Sequence, residues 1–313
     1  MHAAASNLRG GVSPRGTLLR GQSIIEYVLI AAVIGLVVIF AGPQVSGAIR
    51  NQFSQVTNTV DAGTDGDSFM SAEEKAHREA MKTVASKEAK DWTLDEQKAA
   101  ATDIAKNGTS SVVYAKAKAA MDARVTWRVQ LTNGRGMTYR IIGINHDDLA
   151  DGTGKAGLTF EATNNVLGGQ RMNATDSNAG GWEKSELRGR LNSGDLWALL
   201  PAEVQSKAKA VTKVTDNKGG GKAGTPSATT DKVFLLSATE VYGDLQSDGT
   251  QYEYYKTKGV TKSSYSAAAS GSNHWTRSVF PSDSTSFRIV SSGGGWNNNH
   301  ATNTNCVFPA FSF

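Results

Sequence analysis

The sequence predicts an α+β protein: a long apolar helix near the N-terminus, a helical segment after it, and a loop-rich mixed domain over the remainder. Three observations carry that expectation. Tyr27 to Ile49 contains no charged residue, and a helix of that length spans roughly 34 Å, enough for a bilayer core of about 30 Å. Two capping-box patterns, Ser71-Ala72-Glu73-Glu74 and Thr93-Leu94-Asp95-Glu96, introduce stretches rich in Ala, Lys and Glu. From Val125 onward the pattern changes to short strand-like runs separated by Gly- and Asn-rich turns.

These shifts divide the chain into a basic leader (1–21), an apolar helix (22–60), a Gly/Asp linker (61–70), a helical stalk (71–124) and the mixed domain (125–313). With 39% hydrophobic residues among 313, a packed core is available, and 33 glycines point to many turns. The net charge is +4, but Arg9, Arg15 and Arg20 lie before Gln22 with no acid beside them; setting those three aside leaves about +1. The basic balance therefore gives no reason to expect nucleic-acid binding. A single cysteine, Cys306, excludes an intrachain disulfide and any multi-cysteine zinc site. Its apolar surroundings, ending in VFPAFSF, predict that it is buried.

Glu26 stands at the front of the apolar run. A carboxylate inside such a segment is costly and usually functional. Three readings are open: a cleaved secretory signal, for which Ser46-Gly47-Ala48 supplies small residues, an uncleaved signal anchor, and an assembly helix that needs the acid. In each, the basic flank stays cytoplasmic and the C-terminal bulk lies outside. An N-terminal ammonium buried among packed helices costs several kcal/mol unless a carboxylate offsets it. Glu26 lies about one helical turn from Gln22, so it could pair with its own amine or with that of a neighbouring chain.

Gly21, Gln22, Glu26 and Tyr27, followed by VLIAAVIGLVVI, resemble the class III signal of type IV pilins, most closely the Flp (tight-adherence) pilins, over about residues 21–60. The resemblance implies cleavage by prepilin peptidase after Gly21, with Gln22 as the first mature residue and Glu26 and Tyr27 serving assembly. It implies other pilin subunits as partners, a precursor in the cytoplasmic membrane, and then a pilus at the cell surface. The chain is far longer than Flp major pilins, which weighs against its being the bulk filament subunit.

Large apolar residues are sparse between 71 and 124 (Met81, Val84, Trp92, Leu94, Ile104), so this segment reads as helices docked on something else, with Gly108 as a stop and a further helix over 110–123. In the mixed domain, VTWRVQL and MTYRIIGI flank a hairpin turn, while GLTFEA, AVTKV, VFLLS and FRIVSS read as strands. Helices are expected over 183–192 and in DLWALLPAEVQSKA, with long polar loops such as TDNKGGGKAGTPSATT. Gly219-x-Gly221-x-x-Gly224 has the spacing of a dinucleotide motif, but no strand leads in, no helix follows, and Ala223 stands where a P-loop needs Ser or Thr. It reads as a flexible loop. Asp147-Asp148-x-x-Asp151-Gly152 lacks the spacing and terminal Glu of an EF-hand and reads as a plain turn.

The stretch GGGWNNNHATNTNC gathers amide donors and acceptors around one aromatic plate, the chemistry of an adaptable binding surface or a sugar-stacking site. The candidate ligand-binding residues are Asn273, His274, Trp275, Trp296, Asn297, Asn298, Asn299, His300, Asn303 and Asn305; the alternative is a solvated polar loop. YRIIGINHDD, GGWEKSELRGRLNSG, TTDKVFLLSATEVYG, QYEYYK and the terminal pattern Trp275-x-Arg277-Ser278…Phe287…Gly295…Pro309-Ala310-Phe311 resemble an uncharacterised bacterial surface-domain family associated with C-type-lectin-like folds, over about 125–313. That resemblance implies binding of a host-surface or carbohydrate ligand rather than catalysis. With no G-x-S-x-G, no H-E-x-x-H and no cysteine pair, no enzyme, cofactor or metal is expected. The combined expectation is a pilin-like surface adhesin. The alternatives are a structural coat subunit without a specific ligand, and a membrane-anchored lectin-like protein unrelated to pili.

Overall fold

A computed structural model describes residues 70–313. The leader, the apolar helix and the residues Gly21, Gln22, Glu26 and Tyr27 lie outside the described residues. Among the described residues no helix is long and apolar enough to cross a membrane.

Residues 71–313 form one compact unit of mixed helix and sheet. Its first two helices begin where the capping boxes predict: α1 (Ala72–Ser86) after Ser71 and α2 (Leu94–Asn107) after Thr93, each with both reciprocal hydrogen bonds made. Gly108 ends α2, a short 3₁₀ turn follows, and α3 (Tyr114–Asp122) starts four residues later than expected. The segment expected as a stalk thus packs into the same unit as the mixed domain. Gln97, Ala100, Ala101 and Ile104 repeat at helical spacing and are all buried. The stripe is made of small side chains, so the backbone itself comes close to the sheet: a Cβ on Gly157 would sit 1.8 Å from the Ala101 carbonyl oxygen. Sparse large apolar residues here signal close approach rather than a missing core. Trp92 donates to the Val84 carbonyl (3.0 Å) and Trp127 to the Ala89 carbonyl (3.1 Å), tying α1, α2 and the first strand together.

The first sheet has five strands: β1 (Trp127–Gln130), β2 (Gly136–Ile144), β3 (Leu158–Ala162), β12 (Ala310–Ser312) and β7 (Val233–Phe234), in that order. β1 and β2 form the expected hairpin, with Trp127 opposite Tyr139. The chain's last strand lies between β3 and β7, and Phe311 opposite Phe160 joins Tyr139, Trp127 and Phe313 in an aromatic cluster. The second sheet runs β10 (Trp296–His300), β9 (Ser286–Val290), β8 (His274–Val279), β11 (Asn305–Cys306), β4 (Gly169–Gln170); only β11 and β8 are parallel. β5 (Val211–Thr215) pairs with β6 (Ser227–Asp231), so part of the polar stretch expected as loop is strand.

Several expected elements are subdivided. The helix expected over 183–192 is two: α4 (Gly181–Lys184), then α5 (Glu186–Asn192), restarted by Ser185, whose hydroxyl caps Arg188 N–H. DLWALLPAEVQSKA splits into α6 (Asp195–Leu199) and α7 (Ala202–Lys207) at Pro201, which has no N–H to continue the ladder. VFLLS is strand only at Val233–Phe234, because Ser237 then caps α8 (Ala238–Tyr242); QYEYYK holds α9 (Glu253–Thr257). The Gly219–Gly224 loop is not free. Gly220 N–H donates to Asn178 Oδ1 (2.7 Å), Gly224 N–H to Asp216 Oδ2 (2.7 Å), and Gly219, at φ +57°, leaves no room for a Cβ against the Asn178 carbonyl (2.0 Å). Cys306 is half-buried rather than buried, since the strand beside it offers Gly169 at the opposing position and no side chain to cover it.

Candidate functional site

Two polar assemblies stand out, one inside the unit and one at its surface. The inner one is ionic. Lys213, Arg277, Asp147 and Glu240 are each at most 3% exposed. Lys213 Nζ lies 2.6 Å from both Asp147 Oδ1 and Glu240 Oε1, and over the Phe234 ring at 4.4 Å. Arg277 grips Glu240 with both terminal nitrogens and donates to Thr215 Oγ1 and the Leu235 and Val214 carbonyls. Two acids thus meet two bases, with the hydroxyls of Tyr252 and Thr159 completing Asp147. Burial alone would raise the Asp147 carboxyl, but Lys213 and the hydrogen bonds bring it down to about 2. Burial likewise opposes ionisation of Glu240, and Arg277 and Lys213 outweigh it, so this carboxyl is also lowered. The acidic turn is therefore used internally: Asp147 in this cluster, Asp148 on Lys155, and Asp151 on Thr153.

A second buried anchor explains the stretch WEKSELRGRLN. Asp231, fully buried, accepts from Trp182 Nε1 (3.0 Å), Arg188 Nε (2.6 Å) and Thr229 Oγ1 (2.7 Å). Asn192 bonds the backbone of Lys232 and Val233 with its amide. These side chains fasten α4 and α5 to the segment leading into β7.

The surface assembly is the stretch GGGWNNNHATNTNC. It is not wholly a loop: Trp296–His300 forms β10, the end strand of its sheet, with Asn298 opposite Arg288 and His300 opposite Ser286. Alternation along a strand puts Trp296, Asn298 and His300 on one face and Asn297 and Asn299 on the other. Trp296 is 44% exposed and donates to the Lys262 carbonyl (3.1 Å). Beneath it lies Arg288, 8% exposed, its guanidinium carbon 5.3 Å from the Trp296 ring and 4.5 Å from the Phe280 ring. Arg288 donates from Nε to Gln246 (3.0 Å), while its Nη1 is buried without a partner.

The sequence-derived candidates divide accordingly. Asn273, Trp296, Asn297, His300 and Asn303 are exposed, and Asn298 and Asn299 are half-buried. His274, Trp275 and Asn305 are buried. His274 stacks on Phe308 with centroids 4.5 Å apart, and Trp275 donates to the Gln170 carbonyl (2.7 Å). Asn299 donates to Asn305 Oδ1 (3.2 Å) and accepts from Asn303, His300 meets Asp176 at 2.9 Å, and Asn273 Oδ1 accepts from Ser292 N–H. The structure thus gathers the β10 residues and Asn303 at one edge and takes His274 and Trp275 into the interior.

Sequence reasoning missed Arg288, Lys213 and Asp231, and named Arg277 only as part of a family pattern, not for its buried ion pair. Their signal was a lone charge inside an otherwise strand-like run, as in FRIVSS, HWTRS and AVTKV. Where such a strand is covered on both faces the charge has to find a buried partner.

No curated protein and no solved structure matches the chain. Residues 20–60 match the family model described as Flp/Fap pilin component, so this segment is pilin-like. A second model, described as Domain of unknown function (DUF6273), matches residues 156–313, just over half of the chain, and the chain belongs to that family.

Proposed function

We propose that the chain is a pilin-like surface adhesin, anchored in a filament by its N-terminal helix and presenting the 71–313 unit outward as a binding module. The observation that carries the reading is the pilin match over residues 20–60, together with Gly21-Gln22 and Glu26-Tyr27 in the order that processing and assembly require. Prepilin peptidase cuts after Gly21, the helix resides in the membrane until assembly, and Glu26 offsets the new N-terminal ammonium among packed helices. The binding module is lectin-like and meets a host-surface or carbohydrate ligand at the β10 edge, where Trp296 offers an aromatic face beside Asn298, with Asn297 exposed on the other side of the strand. Its role is binding, not catalysis.

Mass spectrometry of surface-extracted protein tests the pathway: a mature chain beginning at Gln22 supports it, and a start near Ala48 overturns it. Glu26→Ala is expected to insert in the membrane yet fail to enter filaments. Normal incorporation of that variant would remove the role given to the acid.

A coat-subunit reading has one observation in its favour: His300, Asn299 and Asn303 already bond within the protein. Abundance separates the two readings, since a coat subunit dominates isolated filaments and an adhesin at the tip is scarce.

A further inference from the structure

A recess of about 80 Å³ is lined by Arg140, Thr163, Tyr255, Ser270, His274 and Phe308 together with three alanines. One water needs roughly 10–15 Å³, so the space takes a group of several heavy atoms. Its chemistry is one-sided. Among the lining residues there is a guanidinium, an imidazole and three hydroxyl groups, and no carboxylate.

Among the described residues the only acid bonded to this set is Glu161, which is 2% exposed and sits behind the wall. Tyr255 donates its hydroxyl to both Glu161 oxygens (3.0 and 2.8 Å), and Arg140 Nη2 reaches Oε2 at 3.0 Å. The Arg140 guanidinium lies 4.1 Å over the Tyr254 ring, and its Nε is a buried donor without a partner. Arginine carries five N–H donors in a planar fork, so Glu161 leaves much of that fork unsatisfied. On the other side, His274 directs Nδ1 to the Ser272 carbonyl (3.3 Å) and Ser270 Oγ (3.2 Å). A carbonyl only accepts, which assigns the proton to Nδ1. Burial keeps this imidazole neutral, with its pKa lowered to about 4.

We propose that this recess is a binding site for a carboxylate group. A single guanidinium, partly compensated by Glu161, matches one planar monoanion better than a phosphate dianion, and a planar carboxylate takes two donors of the fork at once. The volume admits the carboxylate and its attached carbon while the rest of the ligand extends out past Ala269 and Ser270, both exposed. The carboxylate could come from a free small acid or from an acidic sugar, and this proposal stands whether or not the pilin reading does.

The test uses the full chain in detergent and titrates acetate, glucuronate and inorganic phosphate, reading the His274 ring signals by NMR. Saturable shifts with acetate and glucuronate, and none with phosphate, are expected. Tighter binding of glucuronate than acetate assigns the site to an acidic sugar, and equal binding assigns it to small acids; both support a carboxylate site. Arg140→Lys keeps the charge but loses the planar fork, and a weakening of about tenfold or more is expected. Ala269→Leu narrows the mouth without touching the ion pair, and should reduce glucuronate binding while the fold, checked by circular dichroism, is kept. No saturable carboxylate shift, an equal response to phosphate, or binding unchanged in both variants would overturn the proposal.

Discussion

The cluster around Arg277 and the β10 edge are both polar, yet they are built on opposite terms. In the cluster each charge faces its counter-charge at contact distance and is sealed from water: Lys213 between Asp147 and Glu240, and Arg277 against Glu240 and four further acceptors. At the edge, Trp296 and Asn297 face solvent, and the bonds there are made by exposed groups, locally as from Asn298 N–H to Asn297 Oδ1 and at a distance as between His300 and Asp176. Burial makes each unmet polar group costly, so the cluster has to be complete. Exposure removes that cost, so the edge is free to keep donors and acceptors for something outside the molecule. The difference teaches where to look: a saturated buried network specifies the fold, and an exposed polar surface is where the proposed recognition is to be tested.

The largest effect should come from breaking the cluster. Arg277→Met leaves Glu240 with Lys213 and the Ser237 N–H and takes a donor from the Leu235, Val214 and Asp248 carbonyls, and should lower stability by about 3–5 kcal/mol, as for other broken buried pairs. Urea denaturation measures it. Replacing both partners, as in Arg277→Met with Glu240→Leu, is expected to cost as much or more, because Lys213 then loses one of its two carboxylates and the Ser237 cap is lost as well. A loss below about 1 kcal/mol in Arg277→Met would mean that water or relaxation satisfies the site, and the contrast with the edge would lose its inner term.

A pH titration sharpens the comparison between a candidate that went inside and those that stayed out. His274 has a folded pKa of about 4, lowered by burial, against about 6.5 for an unfolded histidine. The unfolded chain therefore binds this proton first, and the folded state loses stability as pH falls from about 6.5 to about 4, by of the order of 3 kcal/mol. Asp147 acts lower: with its folded pKa at about 2, its contribution is present above the unfolded value of about 3.9 and is lost as pH falls through about 2. For His146, burial lowers the pKa but the Glu253 hydrogen bond and nearby acids outweigh it, so its contribution is full below pH 6.5 and fades as pH rises. Only His274 produces a loss on acidification between 6.5 and 4 among these three. His274→Asn, which can still donate to the Ser272 carbonyl, should flatten that slope in chemical denaturation series. An unchanged slope would refute the assignment.

The same contrast explains what could be read in the sequence. The capping boxes at Ser71 and Thr93 and the β1–β2 hairpin were legible because local hydrogen bonds and turn chemistry decide them. The docking of α2 was hidden, because Ala100 and Ala101 look like solvated helix until Gly157 is seen against them. β10 was hidden for a related reason: Trp-Asn-Asn-Asn-His has poor strand propensity, and its pairing with Ser286–Val290 is a tertiary fact. The polar character of the edge was legible in composition. Which of its residues face outward was not, since His274 and Asn273 are sequence neighbours with opposite burial.

The smallest effect on stability, and the most informative about function, is expected at Trp296. Its ring is 44% exposed, and its contacts are a hydrogen bond to the Lys262 carbonyl and the face it shows to Arg288. Exposed cation–π contacts are worth about 0.5–1 kcal/mol, so Trp296→Ala should cost about 1 kcal/mol, and Asn297→Ala should stay within about 0.5 kcal/mol. If the edge is the recognition surface, these changes leave filament assembly and folding intact while abolishing attachment of bacteria to the surface or glycan that the wild type holds, measured side by side. Attachment unchanged in Trp296→Ala would detach recognition from this edge. A Trp296→Ala variant as unstable as Arg277→Met would go further, because the plate would then belong to the core, and a residue that holds the fold together is not free to serve a ligand.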